Sequence, residues 1–185
     1  PFCCCWCPSM RIAILGNSGS GKSTLARRLV QRMQLECLDL DTIAWEPHQI
    51  AVPRSPHAAA EDVRRFCTTH RRWVIEGCYA SLIRVSFEFQ PRLVFLNPGE
   101  ERCLANCRER PWEPHKYPSK AEQDQRLPFL LSWVSSYYRR DDDMSLASHR
   151  ACFEDYTGSK QELSSVLSED IPADQELGWP EAELG

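Results

Sequence analysis

The segment Gly16-Asn17-Ser18-Gly19-Ser20-Gly21-Lys22-Ser23 fits the pattern G-x-x-x-x-G-K-[ST], and its flanks restrict what the chain can fold into. Ahead of it, Ile12-Ala13-Ile14-Leu15 is short, β-branched and almost wholly apolar, as in a strand buried on both faces of a parallel sheet. Behind it, Leu25, Ala26, Leu29, Val30 and Met33 recur at helical spacing, while Arg27, Arg28, Gln31 and Arg32 take the opposite face. A strand that enters a glycine loop and leaves as a helix gathers main-chain N–H groups around one point, where they attract phosphate oxygens. Residues 16–24 are therefore expected to hold ATP. The glycines admit close approach, Lys22 would reach the β and γ phosphates, Ser23 would offer its hydroxyl to Mg²⁺, and Thr24 would lie near the α phosphate.

The rest of the chain repeats the strand-then-helix order. Strands are expected at Glu36 to Asp41, Trp73 to Glu76, Arg92 to Leu96 and Lys160 to Leu163. Helices are expected at Ala58 to Thr69, at Glu100 to Arg108, and over a segment carrying Leu127, Leu130, Leu131, Val134, Tyr137 and Tyr138, with Pro128 in its first turn. Pro111, Pro114 and Pro118 make the stretch from Glu109 to Lys120 a long connection. Alternating strands and helices define an α/β protein with a parallel sheet.

At 185 residues the chain suits one domain, and 42% hydrophobic with 26% charged residues is ordinary globular composition. The longest apolar runs fall well short of the ~20 residues that span a bilayer, so no membrane partner is expected. The net charge of −4 is concentrated: residues 169–185 hold six carboxylates and no Lys or Arg, which leaves about +2 for the remainder. That balance suits a small anionic ligand and makes no extended basic stripe, so nucleic acid is not an expected partner. The segment 169–185 reads as an acidic flexible tail, and residues 1–9 as an extension outside the 10–168 domain. Of ten cysteines, six are scattered singly through apolar or helical contexts, the pattern of reduced thiols in a cytoplasmic protein.

Alternation along a strand would put Asp39 and Asp41 on one face at its carboxyl end, beside the phosphate loop. One of them, Asp39, would serve the metal with Ser23, and Asp41 would bind the acceptor or take a proton from its hydroxyl. A helix cap ahead of Thr42 is the competing role for both. Glu76 and Gly77 end the next strand at the same edge and join the acceptor-side candidates, Glu76 also as a Walker B-like carboxylate near the metal, with a surface carboxylate as its competing role. Arg84, Arg102, Arg108 and Arg110 are candidates for holding phosphate oxygens, with Arg108 the catalytic candidate among them.

Four segments, RIAILGNSGSGKSTLARRL, LDLDTIAW, WVIEGCY and RLVFLN, resemble the adenylate-kinase-like P-loop proteins labelled DNA topology modulation kinases, or FlaR-related. Asp41-Thr42 with Trp45 match an "LDxxxW" element of that family, and Glu76-Gly77-Cys78-Tyr79 a "DGNY"-like element in which Glu76 and Cys78 replace the commoner Asp and Asn. The resemblance implies a three-layer α/β/α sandwich, a mostly five-stranded parallel sheet, and a helical lid at about residues 108–125. Shikimate and gluconate kinases look similar in the phosphate loop and in the acidic residues after the second strand. Transfer of the γ-phosphoryl group of Mg-ATP to a small acceptor, either a hydroxyl compound or a nucleoside monophosphate, is the expected activity. The alternative is a nucleotide-dependent regulatory NTPase acting through a protein or nucleic-acid partner.

Overall fold

The computed structural model describes residues 9–46, 52–113, 117–165 and 172–179. Apart from Ser9, the expected N-terminal extension lies outside them, as do residues 114–116 of the expected lid and 169–171 and 180–185 of the expected tail. In chain order the elements are β1 (Arg11–Gly16), α1 (Lys22–Met33), β2 (Glu36–Asp39), α2 (Asp41–Ala44), α3 (Pro56–Thr69), β3 (Trp73–Gly77), α4 (Ala80–Ser86), β4 (Arg92–Leu96), α5 (Glu100–Glu109), α6 (Lys120–Ser136), α7 (Leu146–Asp155), β5 (Lys160–Leu163) and α8 (Ala173–Glu176).

The strands form one parallel sheet in the order β2-β3-β1-β4-β5. β1 holds the centre because it is apolar on both sides. Ile12 and Ile14 pack with Leu25, Ala26 and Leu29 of α1, whereas Ala13 and Leu15 pack with Val63, Ile83 and Cys152 of α3, α4 and α7. Each pair of parallel neighbours needs a crossover, and these crossovers supply the two helical layers. The helices α5 and α6 pack on each other through a small separate cluster of Cys103, Cys107 and Val134. Among the described residues no helix is long and apolar enough to cross a membrane.

Three local expectations are corrected. The second strand stops at Asp39, not Asp41. The Asp39 carboxylate accepts the Asp41 N–H at 2.9 Å, and Thr42 donates its hydroxyl to the Asp39 carbonyl, turning the chain into α2. Local side-chain bonding of this kind competes with the sheet ladder and wins at an aspartate. α6 starts at Lys120, capped by Ser119, whose hydroxyl accepts the Glu122 N–H, so Pro128 lies inside the helix, not in its first turn. Residues 172–179, placed by composition in the acidic tail, fold onto α1. Ala173 and Leu177 join the apolar face around Ile12, Asp174 is 1% exposed and pairs with Arg32, and Arg92 lies over the Trp179 ring. Two apolar residues four apart form one helical stripe even in an acidic segment.

Buried His149 of α7 ties the end of α6 to the turn that follows β3. The Cys78 carbonyl can only accept, so His149 donates to it through Nε2 at 2.8 Å, and its Nδ1 accepts from the Tyr137 hydroxyl at 2.8 Å. Burial holds its pKa down at about 4, against 6.5 in an open chain. The unfolded state therefore takes up the proton first, and stability present above pH 6.5 is lost as the pH falls through the window towards 4.

Two outcomes follow for stability. Leu177→Ala should lower it by about 2–4 kcal/mol in urea titrations, and an unchanged midpoint would place residues 172–179 outside the cooperative core. His149→Gln should flatten the decline of stability between pH 6.5 and 4, a share of up to ~3 kcal/mol, and a slope equal to that of the unaltered chain would reject this assignment.

Candidate active site

Register places the carboxyl ends of the three inner strands side by side, with Leu15 opposite Gly77 and Gly16 opposite Leu96. The loop between β1 and α1 emerges there, at the crest where ligands of open α/β sheets bind. It is wedged between two neighbours. A Cβ at Gly16 would come within 2.5 Å of the Leu96 carbonyl oxygen, and one at Gly19, where φ is +77°, within 2.3 Å of the Cys103 carbonyl of α5. Only glycine fits both places.

Polar side chains complete the hold on this loop. Asn17 is 3% exposed and donates to the Val134 carbonyl of α6 at 3.0 Å, while its own Oδ1 accepts the Ser18 N–H at 2.8 Å. Asn106 of α5 donates to the Gly19 carbonyl at 2.8 Å. The Ser20 hydroxyl is buried without a hydrogen-bond partner among the described residues.

α1 begins at Gly21, whose φ is +97°, with no capping side chain and no acidic residue in its first turn. Its ladder starts with the Leu25 N–H donating to the Gly21 carbonyl, so the amides of Lys22, Ser23 and Thr24 are those a helix leaves without internal partners. Lys22, 8% exposed, turns its ammonium back over the loop and donates to the Asn17 carbonyl at 2.9 Å. Uncapped amides, a helix dipole and an ammonium group gathered at one loop are features that attract anions.

On the other side of Lys22 the crest is acidic. Glu76 of β3, 4% exposed, accepts the Ser23 hydroxyl at 2.6 Å, and Asp39 lies opposite it in the β2–β3 register. Burial raises the Glu76 pKa, Lys22 opposes that shift, and Asp39 and Asp41 add to it. Ser23, Asp39 and Glu76 thus bring oxygen ligands of the kind magnesium takes to one edge of the loop. Asp41, in the first turn of α2, is reached by another route than strand alternation: its Oδ1 accepts the Tyr79 hydroxyl at 2.7 Å, and the Trp45 indole donates to the Tyr79 oxygen at 2.8 Å.

The remaining candidates are scattered. Gly77 is buried, and a Cβ there would meet Leu40 at 2.8 Å, so its missing side chain makes room for packing. Arg84 donates to Asp155, on the helix that leads down into the start of β5, and so turns away from the crest. Arg108 is exposed on the last turn of α5, where it lines a cavity against α6 with Arg110 and Arg126; Arg110 pairs with Glu113. Arg102 is exposed on α5. Tyr79, Trp45, Asn106 and His149 were not singled out as site residues from sequence. Trp45 and Tyr79 stood within the quoted "LDxxxW" and "DGNY"-like segments, but nothing local signals that they bond each other, and Asn106 meets Gly19 across 87 positions.

No protein-family model matches the chain, and no curated protein matches it. Solved structures do. A sugar kinase from Janibacter sp. HTCC2649, unliganded, aligns over 93% of this chain and 94% of its own at 15% identity with a TM-score of 0.53. The YorR protein of Bacillus subtilis, in complex with phosphorylated GDP, aligns over 90% of this chain and 94% of its own at 12% identity with a TM-score of 0.51. At such identities the likeness is one of fold. The chain has the α/β fold of the P-loop kinases, five parallel strands between helical layers, with its phosphate-loop sequence at the end of the central strand.

Proposed function

We propose that this chain is an ATP- and magnesium-dependent phosphotransferase acting on a small-molecule acceptor. The observation that carries the reading is the uncapped start of α1, with Lys22 folded over it and the Ser23 hydroxyl bonded to buried Glu76. The residues fit a triphosphate. Gly16 and Gly19 leave no side chain in the loop, the buried Ser20 hydroxyl has a hydrogen bond to give, and the first-turn amides await acceptors. Magnesium, when bound, neutralises charge on the β and γ phosphate oxygens, and Ser23 with Asp39 would hold it, Glu76 supporting Ser23.

The chain's own groups then divide the work. Residues 16–24 bind and orient the phosphates, with Thr24 nearest the α phosphate. Lys22 exchanges its Asn17 carbonyl for phosphate oxygens and stabilises charge that grows during transfer. Asp39, Asp41, Glu76 and Gly77 bound the acceptor side, and Asp41 takes the proton of an acceptor hydroxyl. Residues 108–125 act as a lid that excludes water and brings in Arg108. The sugar kinase and the phosphorylated-GDP complex among the fold neighbours support this reading at the level of architecture. The quoted segments support placing the chain with the DNA topology modulation or FlaR-related kinases, and its separate cysteines support a reducing, cytoplasmic setting.

Lys22→Ala should bind Mg-ATP more weakly in calorimetry and lower ATP turnover by about 10²–10³-fold or more; unaltered turnover would reject the assignment. Asn106→Ala, which removes one hydrogen bond to the loop, should weaken ATP binding by about 3–10-fold with a small change in thermal midpoint. Equal affinities would show that the Gly19 carbonyl needs no tether.

A further inference from the structure

We infer that Tyr79 and Trp45 are positioning residues for the transfer step, because their two hydrogen bonds in series set the orientation in which the Asp41 carboxylate meets the acceptor. This rests on the phosphotransferase reading and adds two residues to the acceptor side of that site.

The argument begins with the place of Asp41 in the chain. It follows Leu40, the N-cap of α2, so it is not the capping residue of that helix. Its backbone is tethered all the same, since the Asp39 carboxylate accepts the Asp41 N–H at 2.9 Å. What the backbone does not settle is where the side chain points. Asp41 is half-buried, and its charge is felt by Glu76, which holds the Ser23 hydroxyl at the start of α1. A carboxylate in that neighbourhood serves an acceptor only if its oxygens are held in place, because small misplacements at a reacting centre cost large factors in rate.

Chemistry fixes the direction of the relay that holds it. An indole N–H can only donate, so Trp45 Nε1 gives its hydrogen to the Tyr79 oxygen at 2.8 Å. Tyr79 has a single hydroxyl hydrogen, and a carboxylate only accepts, so that hydrogen goes to Asp41 Oδ1 at 2.7 Å. A bond to a charged acceptor is of the stronger kind. The donor is also rigid. Tyr79 is 9% exposed and belongs to the buried cluster that contains Leu40, Val63 and Ile83, and its carbonyl accepts the Ile83 N–H at 3.0 Å. Leu40, next to Asp41, already joins α2 to that cluster by apolar contact. Withdrawing a hydroxyl and an indole N–H from water is a costly way to repeat that tie, whereas it is the way to lock a carboxylate that works.

In the transfer, the acceptor oxygen bonds to the γ phosphorus as the bond from that phosphorus to the β,γ-bridging oxygen breaks. ADP leaves with that electron pair, and the hydroxyl proton passes to Asp41, whose placement the relay has set.

The test measures ADP release from Mg-ATP by the whole chain with glycerol, ribose, shikimate, gluconate, AMP and water alone as acceptors, and continues on whichever is fastest. Calorimetry reads ATP affinity on the same samples. Asp41→Asn should lower kcat by about 10²-fold, Tyr79→Phe by about 10–100-fold and Trp45→Phe by about 3–10-fold, each with ATP affinity within about twofold of the unaltered chain. In the Asp41→Asn background, Tyr79→Phe and Trp45→Phe should each lower kcat by no more than about twofold, because they act through a carboxylate that is already gone. A merely structural role would repeat the full loss there. That repeated loss, an unaltered rate in Tyr79→Phe, or an unaltered rate in Asp41→Asn overturns the inference and leaves the nucleotide site standing. If Tyr79→Phe does not fold, the cycle of Trp45→Phe with Asp41→Asn decides between the same outcomes. A chain that binds no ATP, or releases no ADP with any acceptor, fails the phosphotransferase reading and the inference with it.

Discussion

The rest of the site depends on a steric constraint at the first loop. Residues 16–21 must pass from the central strand into α1 through a gap bounded by the Leu96 carbonyl on one side and the Cys103 carbonyl on the other. Without side chains at 16 and 19 the loop fits, and α1 starts with no capping side chain and no acidic residue in its first turn, its dipole unopposed. The packing also works in reverse. Because α5 rests on Gly19 and α6 receives the Asn17 side chain, the loop fixes where the α5–α6 pair stands, and that pair in turn holds the loop. The helix that leads into the proposed lid is therefore in direct contact with the glycine loop.

Electrostatics divides the crest into two halves that meet at Lys22. Towards β4 and α5 lie main-chain amides with their partial positive charge. Towards β2 and β3 lie Asp39, Asp41 and Glu76, close enough that the first two push the Glu76 pKa up while Lys22 pulls it down. One ammonium group thus stands between the start of α1 and the buried Glu76 carboxylate, and in the proposed phosphotransferase that is the boundary the transferred group would cross.

Much of this was legible in the sequence. The apolar run at Ile12–Leu15 could only be a strand covered on both faces, and the loop and amphipathic helix after it are bound to it covalently and by short-range geometry. Four of the five strands lie where alternation and turn residues put them; the second fell short because the Asp39 carboxylate caps its own backbone and outweighs alternation over two residues. The segment 172–179 was misjudged for a related reason, since composition averages over a stretch and conceals the pairing of Ala173 with Leu177.

By itself the sequence determined the parallel α/β class, the glycine-loop element and the presence of carboxylates about the ends of the second and third strands, all of which follow from patterns within a few residues along the chain. Tertiary structure alone decided which of those groups meet. It brought Tyr79 to Asp41 across 38 positions, Ser23 to Glu76 across 53 and Asn106 to Gly19 across 87, and it turned Arg84 away to Asp155. The physical reason is that hydrogen bonds and ion pairs act over a few ångströms. Partners far apart in the chain come within that range only after hydrophobic burial has set the order and register of the strands.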